Sequence, residues 1–328
     1  MERRVLGFFT AATCSSVVVV SAIVATLLSI HAAAQGGGRG QAPKVARIEP
    51  IRNNLYWITE GTGGPGASNL AVLVTDNGVV LVDTKNPGWG AEIARLIGTI
   101  TDRPVTTIIN THTHSDHTGS NTEFPAGTEF IVHENTRTNL AKEVCDRLAN
   151  CGFLSGAKAG YLPRKTFKDR MTMGSGQNRV ELFNFGSAHT SGDAIVVFPA
   201  ARTAHFADLF ARKSLPNIMP TDGGTILGHL HTLEQALATL KNVDTVITGH
   251  GTSLLTWKEF EEFVRLNHEF VTAAQAGIKA GTRADDVAAD ISTMLAQHYP
   301  SYTIAPAKAK ENVALVYEEI YRSGHYVQ

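Results

Sequence analysis

Three histidines and an aspartate fall within six positions of "THTHSDHTG", as His112, His114, Asp116 and His117. The apolar run Val105 to Asn110 stops where this cluster begins. A solvated loop is served as well by Ser or Asn, so the density of imidazole and carboxylate points to metal binding. Strand ends suit that task, because the loop beyond a strand is free to turn inward. Alternation along an extended segment puts His112, His114 and Asp116 on one side and His117 on the other. One loop can then face two ions. A catalytic zinc takes three protein ligands and leaves a position for water. His112 and His114 therefore need a third ligand, and Asp116 with His117 need at least one.

The remaining histidines narrow the choice. His189 in "GSAHTSGDAIVVFP" and His250 in "ITGHG" both sit beside apolar strands on glycine-flanked turns. Asp208 in "HFADLF" follows a strand and could bridge two ions. His205 is expected in the core or behind a ligand. His229 and His231 are expected at a helix start or on its surface. Arg212 and Lys213 follow Asp208 closely and could hold a substrate carboxylate. The glycine-rich "EGTGGPGAS", Glu60 to Ser68, is either a surface turn or a flap over the site.

The rest of the chain sets the frame. With 43% apolar and 18% charged residues, 328 residues are ample for a buried core. A net charge of −1 offers no basic excess for nucleic acid. Residues 1–34 carry a basic start, an uncharged apolar run and Ala32-Ala33-Ala34, the pattern of an export signal. An uncleaved membrane anchor is the other reading, and both place the body outside the cytoplasm, in the periplasm or secreted. Residues 35–47 read as a flexible linker. Cys145 and Cys151 could pair if the helix between them ends near Gly152.

From Ile48 the text predicts strands at 54–60, 69–75, 79–84, 105–110, 129–133, 180–185, 194–198, 203–206 and 245–247. Helices are expected at 89–100, 135–148, 233–240, 256–280, 283–297 and 305–322, with loop and some helix up to Gly176. The halves share a plan of β-hairpins followed by helix. That plan is an α/β arrangement of two packed sheets with helices outside. The end of the chain is expected to pack on the body or to form a homodimer contact.

The ordered motifs resemble the metallo-beta-lactamase superfamily. "THTHSDHTG" matches its H-x-H-x-D-H signature, and "AHTSGD", "ADLF" and "TGHG" follow in the family's order. "VVLVDT", ending in Asp83 and Thr84, resembles the strand upstream of the signature. The resemblance implies a four-layer αββα sandwich over 48–260, with residues 261–328 as a C-terminal helical extension. It implies two Zn2+, with iron or manganese as alternatives. His112, His114 and His189 would hold one, and Asp116, His117 and His250 the other. Asp208 would bridge, and Asp83 would orient a ligand. It further implies hydrolysis, a hydroxide between the metals attacking an ester, lactone, thioester or amide carbonyl of a small-molecule substrate. Asp116 would orient that nucleophile and hand a proton to the leaving group.

Beta-lactamases of this superfamily tend to carry Cys or Ser where Asp208 stands, while the bridging aspartate is typical of its thioesterases, lactonases and phosphodiesterases. Beta-lactamase activity is therefore an alternative rather than the first reading. An iron-dependent persulfide dioxygenase and a non-catalytic zinc-binding protein are the others. The first leaves second-site ligands unused, and the second closes every coordination position.

Overall fold

Hydrophobic residues on both faces of the central strands dictate the architecture. In Gly78–Val82 (β4), Val80 and Val82 point to one core and Val79 and Leu81 to another. Strands buried on both faces read as continuous apolar runs, and they need a covering layer on each side.

A computed structural model describes residues 45–61, 67–142 and 156–322, all within one unit spanning Pro43–Gln328. The leader, most of the linker, the tip of the Glu60–Ser68 segment, and Cys145 and Cys151 lie outside the described residues. No helix among the described residues is long and apolar enough to cross a membrane.

The first sheet contains β1 (Ile48–Arg52), β2 (Leu55–Ile58), β3 (Leu70–Thr75), β4, β5 (Val105–Ile109), β6 (Glu129–His133) and β7 (Lys165–Phe167), in that order. The second runs β13 (Leu255–Thr256), β12 (Thr245–Thr248), β11 (Thr203–Ala207), β10 (Ile195–Phe198), β9 (Val180–Phe183) and β8 (Arg170–Met173). Between the sheets, Leu55, Trp57, Leu73 and Ile109 meet Leu182, Val196, Phe198 and Ile247. Outside the first sheet, α1 (Gly90–Ile97) packs Ile93, Leu96 and Ile97 on Leu81 and Ile108. Two short helices, α2 (Ser115–Thr118) and α3 (Glu134–Leu140), follow β5 and β6. Outside the second sheet lie α4 (Ile226–Thr239), α5 (Trp257–Lys279), α6 (Ala284–His298) and α7 (Pro306–Arg322). Phe206 and Phe210 stack there on Phe260 and Phe263 of α5, with ring centroids 4.3 and 4.1 Å apart. The result is the four-layer αββα sandwich.

The finer expectations divide. Strands β7 and β8 occupy text read as loop. The helix expected at 233–240 begins at Ile226, where Thr225 caps it by accepting from the Gly228 N–H at 3.1 Å. The 260/261 boundary falls inside α5, so body and extension share a helix.

Parallel pairing joins β4, β5, β6 and β7 in the first sheet and β11 with β12 in the second, while the other ladders are antiparallel, and the site draws on β4, β5, β11 and β12. Parallel neighbours end at the same edge, so the loops after all four strands can reach one site. Antiparallel β10 presents the opposite end there, which brings in the segment before it.

The C-terminal helices are joined to the body by Glu319 on α7. Its carboxylate accepts from Ile226 N at 2.6 Å and Leu227 N at 3.0 Å, at the positive end of α4. Glu319→Ala should lower stability by about 1–2 kcal/mol and the melting temperature by roughly 2–6 °C, read by scanning calorimetry at matched metal content. An unchanged melting temperature would show that this contact contributes nothing.

Candidate metal centre

Every candidate ligand lies at one edge of the sandwich. His112 and His114 follow β5, His189 precedes β10, Asp208 follows β11 and His250 follows β12. The chain leaves its extended path at His114 (φ −66°, ψ 151°) and enters the single turn of α2. This corrects the strand alternation expected through Asp116. The helical turn brings Asp116 and His117 together toward His250, while the His117 ring stays 4.1 Å from that of His112.

The donors form two groups. His112, His114, His189 and Asp208 place one ligand atom each within 4.8 Å of one another, and so do Asp116, His117 and His250. In the first group, His114 Nδ1 lies 3.0 Å from His112 Nε2 and 3.1 Å from His189 Nε2. Two nitrogens bound tetrahedrally to one zinc stand about 3.4 Å apart. The imidazoles thus present their nitrogens as corners of a coordination shell. In the second group, His250 Nε2 is 3.3 Å from Asp116 Oδ2.

Asp208 joins the groups. Its Oδ2 lies 3.6 Å from His189 Nε2, while its Oδ1 lies 3.5 Å from His117 Nε2 and 3.3 Å from His250 Nε2. Buried His117 Nε2 and Asp208 Oδ1 have no hydrogen-bond partner. Buried polar atoms are ordinarily satisfied, so two orphans converging on one space fit a cation between them. A nitrogen and carboxylate donor set suits zinc, iron or manganese. Gly249 permits the approach, because a Cβ there would stand 2.0 Å from Asp208 Oδ1.

Behind the ligands, further groups fix each ring. Asp83 Oδ2 accepts from His117 Nδ1 at 2.7 Å, leaving Nε2 to face the site. The same carboxylate accepts from Thr111 N and Thr111 Oγ1, both at 2.8 Å. The Asn217 carbonyl accepts from His189 Nδ1 at 2.6 Å. Asp222 Oδ2 stands 3.3 Å from His114 Nε2, and Glu60 Oε1 stands 3.6 Å from His250 Nδ1. Sequence reasoning found Asp83 and missed Asn217, Asp222 and Glu60. The glycine turn "TDGG" was the available sign for Asp222. It also missed Lys85, fully buried, whose ammonium donates to the carbonyls of Thr59 (2.7 Å), Glu60 (3.1 Å) and Ser68. Burial lowers Lys85 to about 7, against the pull of Glu60, Asp83 and Asp116.

His205 and His229 are buried and serve the core. His205 Nε2 donates to the Asn69 carbonyl at 3.1 Å, within the core. His229 is buried on α4 against the Leu209 carbonyl at 2.9 Å. Lys213 turns away from the centre, to Glu259 Oε1 at 2.6 Å and the face of Tyr302. Arg212 instead lines a cavity of about 310 Å³ bounded by Asp208 and His250.

Electrostatics separate the two groups. Burial, reinforced by neighbouring imidazoles, holds His112 well below its usual range and lowers His189. Both are neutral donors at neutral pH. Burial also opposes a charge on His117, but Asp116, Asp83 and Asp208 outweigh it and push it up to about 10. Against the same penalty, Asp208, Asp116 and Glu60 push His250 up to about 12. Protons on these rings supply the positive charge that the carboxylates demand.

Fold and centre together define a class: αββα enzymes carrying a buried His/Asp metal site at the edge of two sheets. The family model of the metallo-beta-lactamase superfamily matches residues 63–250, and the chain belongs to that superfamily. The chain is 30% identical over 177 residues to the 2,4-dinitroanisole O-demethylase subunit alpha of Nocardioides sp. (strain JS1661), covering 52% of this chain and 48% of that protein. It thus spans about half the length of this curated relative. A metallo-beta-lactamase from Pontibacter korlensis superposes with a TM-score of 0.55 at 19% identity, over 68% of this chain and 99% of that one. A stereoselective inverting sec-alkylsulfatase from Pseudomonas sp. superposes with a TM-score of 0.60 at 15% identity, over 75% of this chain and 45% of that one. These likenesses show the fold.

Metal uptake should release protons. His117 and His250 are protonated in the metal-free protein at neutral pH, and a metal must displace both. Raising the pH removes the competing protons, so affinity should rise about 10- to 100-fold per pH unit through neutrality. Zinc titrations in buffers of different ionisation enthalpy should report about two protons released per chain. Uptake with no proton release would contradict these protonation states.

Proposed function

We propose that this chain is an exported two-zinc hydrolase acting on an ester, lactone, thioester or amide carbonyl of a small molecule. The observation that carries this reading is the Asp208 carboxylate, one oxygen facing each trio of ligands. A closed structural site fills every position around its metal. Seven donors shared between two ions leave room for water. His112, His114, His189, Asp116, His117, Asp208 and His250 would hold the zinc pair, which would supply acidified water and polarisation of the attacked carbonyl.

The chain's own residues do the rest. Asp83, Asn217 and Asp222 keep His117, His189 and His114 turned toward the centre. Asp116 is the most exposed of the seven, with 23% of its side chain accessible beside the buried imidazoles. It is placed to take a proton from the attacking water and to pass it to the leaving group, acting as the catalytic acid and base. Neither Ser nor Cys is needed as a nucleophile. The cavity walled by Asp208, His250 and Arg212 is of a size for a small substrate.

A second reading follows from the O-demethylase relative, whose name describes removal of a methyl group from oxygen. The same water, directed at a C–O bond of an aryl ether, would release an alcohol.

The experiment is a panel of nitrocefin, lactoylglutathione, homoserine lactones, bis-p-nitrophenyl phosphate and 2,4-dinitroanisole, assayed with zinc-loaded protein. On whichever compound is turned over, Asp116→Ala should lower kcat by about 10²–10⁴-fold. Unchanged turnover in that variant would remove Asp116 from proton transfer, and inactivity on nitrocefin, lactoylglutathione and the homoserine lactones would sink the carbonyl reading.

A further inference from the structure

The cavity over Asp208 and His250 has a wall supplied by the C-terminal extension. Thr303, Ala305 and Lys308 line it together with Arg212 from the loop after β11. Lys308 lies in the first turn of α7, where the helix dipole disfavours a cation. Helix stability therefore does not account for a lysine there. Its Nζ donates to Asn217 Oδ1 at 3.0 Å and to Glu311 Oε2 at 2.6 Å. The Glu311 contact is a half-exposed i,i+3 pair, worth at most a few tenths of a kcal/mol. The Asn217 contact directs the ammonium to the residue whose carbonyl orients His189.

This wall is fixed in place. Buried Asn312 of α7 donates to the Pro216 carbonyl at 3.0 Å, and Thr303 N donates to the Lys213 carbonyl at 2.9 Å. Arg212 is held loosely, its guanidinium 3.8 Å from Glu60 Oε1 and half-exposed. Ala211, Leu215 and Ala305 add small apolar surface to the lining that the two cations share with Asp208 and His250.

We propose that Lys308, with Arg212, binds an oxyanion on the substrate, in the simplest case a carboxylate separated from the scissile carbonyl by a short aliphatic stretch. This rests on the hydrolase reading and narrows its substrate class to small anionic acyl compounds. Lys308 contributes a charge-assisted hydrogen bond, and Arg212 can meet a carboxylate with two. Glu60 and Glu311 are the carboxylates already beside these cations. The incoming anion displaces Glu311 from Lys308 and shares Arg212 with Glu60.

The test compares 4-nitrophenyl hemiglutarate with the neutral 4-nitrophenyl butyrate on zinc-loaded wild-type, Lys308→Met and Lys308→Arg proteins. The ratio of kcat/KM, anionic over neutral, should fall about 10- to 100-fold in Lys308→Met and recover to within about threefold in Lys308→Arg. Equal losses on both esters would make Lys308 a support for Asn217 and overturn the proposal, as would an unchanged ratio. Glutarate binding to the zinc-loaded proteins, measured by calorimetry, supplies a readout without turnover. It should weaken about tenfold or more in Lys308→Met. Unchanged glutarate affinity would overturn the proposal even if neither ester is cleaved, an outcome that would separately count against the carbonyl hydrolase reading.

Discussion

Asp208 brings two sets of imidazoles into one centre. It is nearly buried and sits between His189 on one side and His117 and His250 on the other. An unpaired carboxylate in such a place is costly, and its pKa is held well below the usual carboxylate range only because His250 and His117 outweigh the burial penalty. Much of the surrounding backbone accommodates this one group. Ala207 takes a positive φ of 46° to turn it inward, and Gly249 leaves space where any side chain would collide with it. Strain of that kind persists where packing over-determines it, and it collects at functional sites.

The layers of the sandwich explain why the centre forms at this edge. Parallel pairing of β4 with β5 and of β11 with β12 sends Asp83, the 112–117 loop, Asp208 and His250 in the same direction. Cores on both faces of each sheet hold those strand ends rigid. The imidazoles therefore meet with nitrogens 3.0–3.1 Å apart before any ion is considered. The C-terminal helices do more than cover the second sheet. Asn312 of α7, and Thr303 just before that helix, hold the loop bearing Arg212 and Asn217, and so shape the cavity.

The ligands were legible in the sequence because each is a titratable residue at the end of an apolar run, next to glycines or within a dense cluster. Asn217 carries no such mark; glycines stand beside Asp222 and Glu60, but the roles of all three exist only after distant loops pack together. Lys85 was hidden for a related reason: a lysine in a loop reads as solvated, and only the tertiary fold supplies three carbonyls around its ammonium. Strand alternation misassigned Asp116 because a helical turn intervenes at His114. Strands β7 and β8 escaped because "KTF" and "RMTM" are short and half polar. Helix α4 was read late because the glycines at 223 and 224 obscure its Thr225 cap.

Asp208 faces both trios of ligands, drawn from both halves of the chain, and is thereby expected to couple two ion sites. Crystals grown with zinc, measured on both sides of the zinc absorption edge, address it directly. Two anomalous peaks should appear on either side of the Asp208 carboxylate. One should be bounded by His112, His114 and His189, the other by Asp116, His117 and His250. A single peak, or ions bound away from Asp208, would contradict the account.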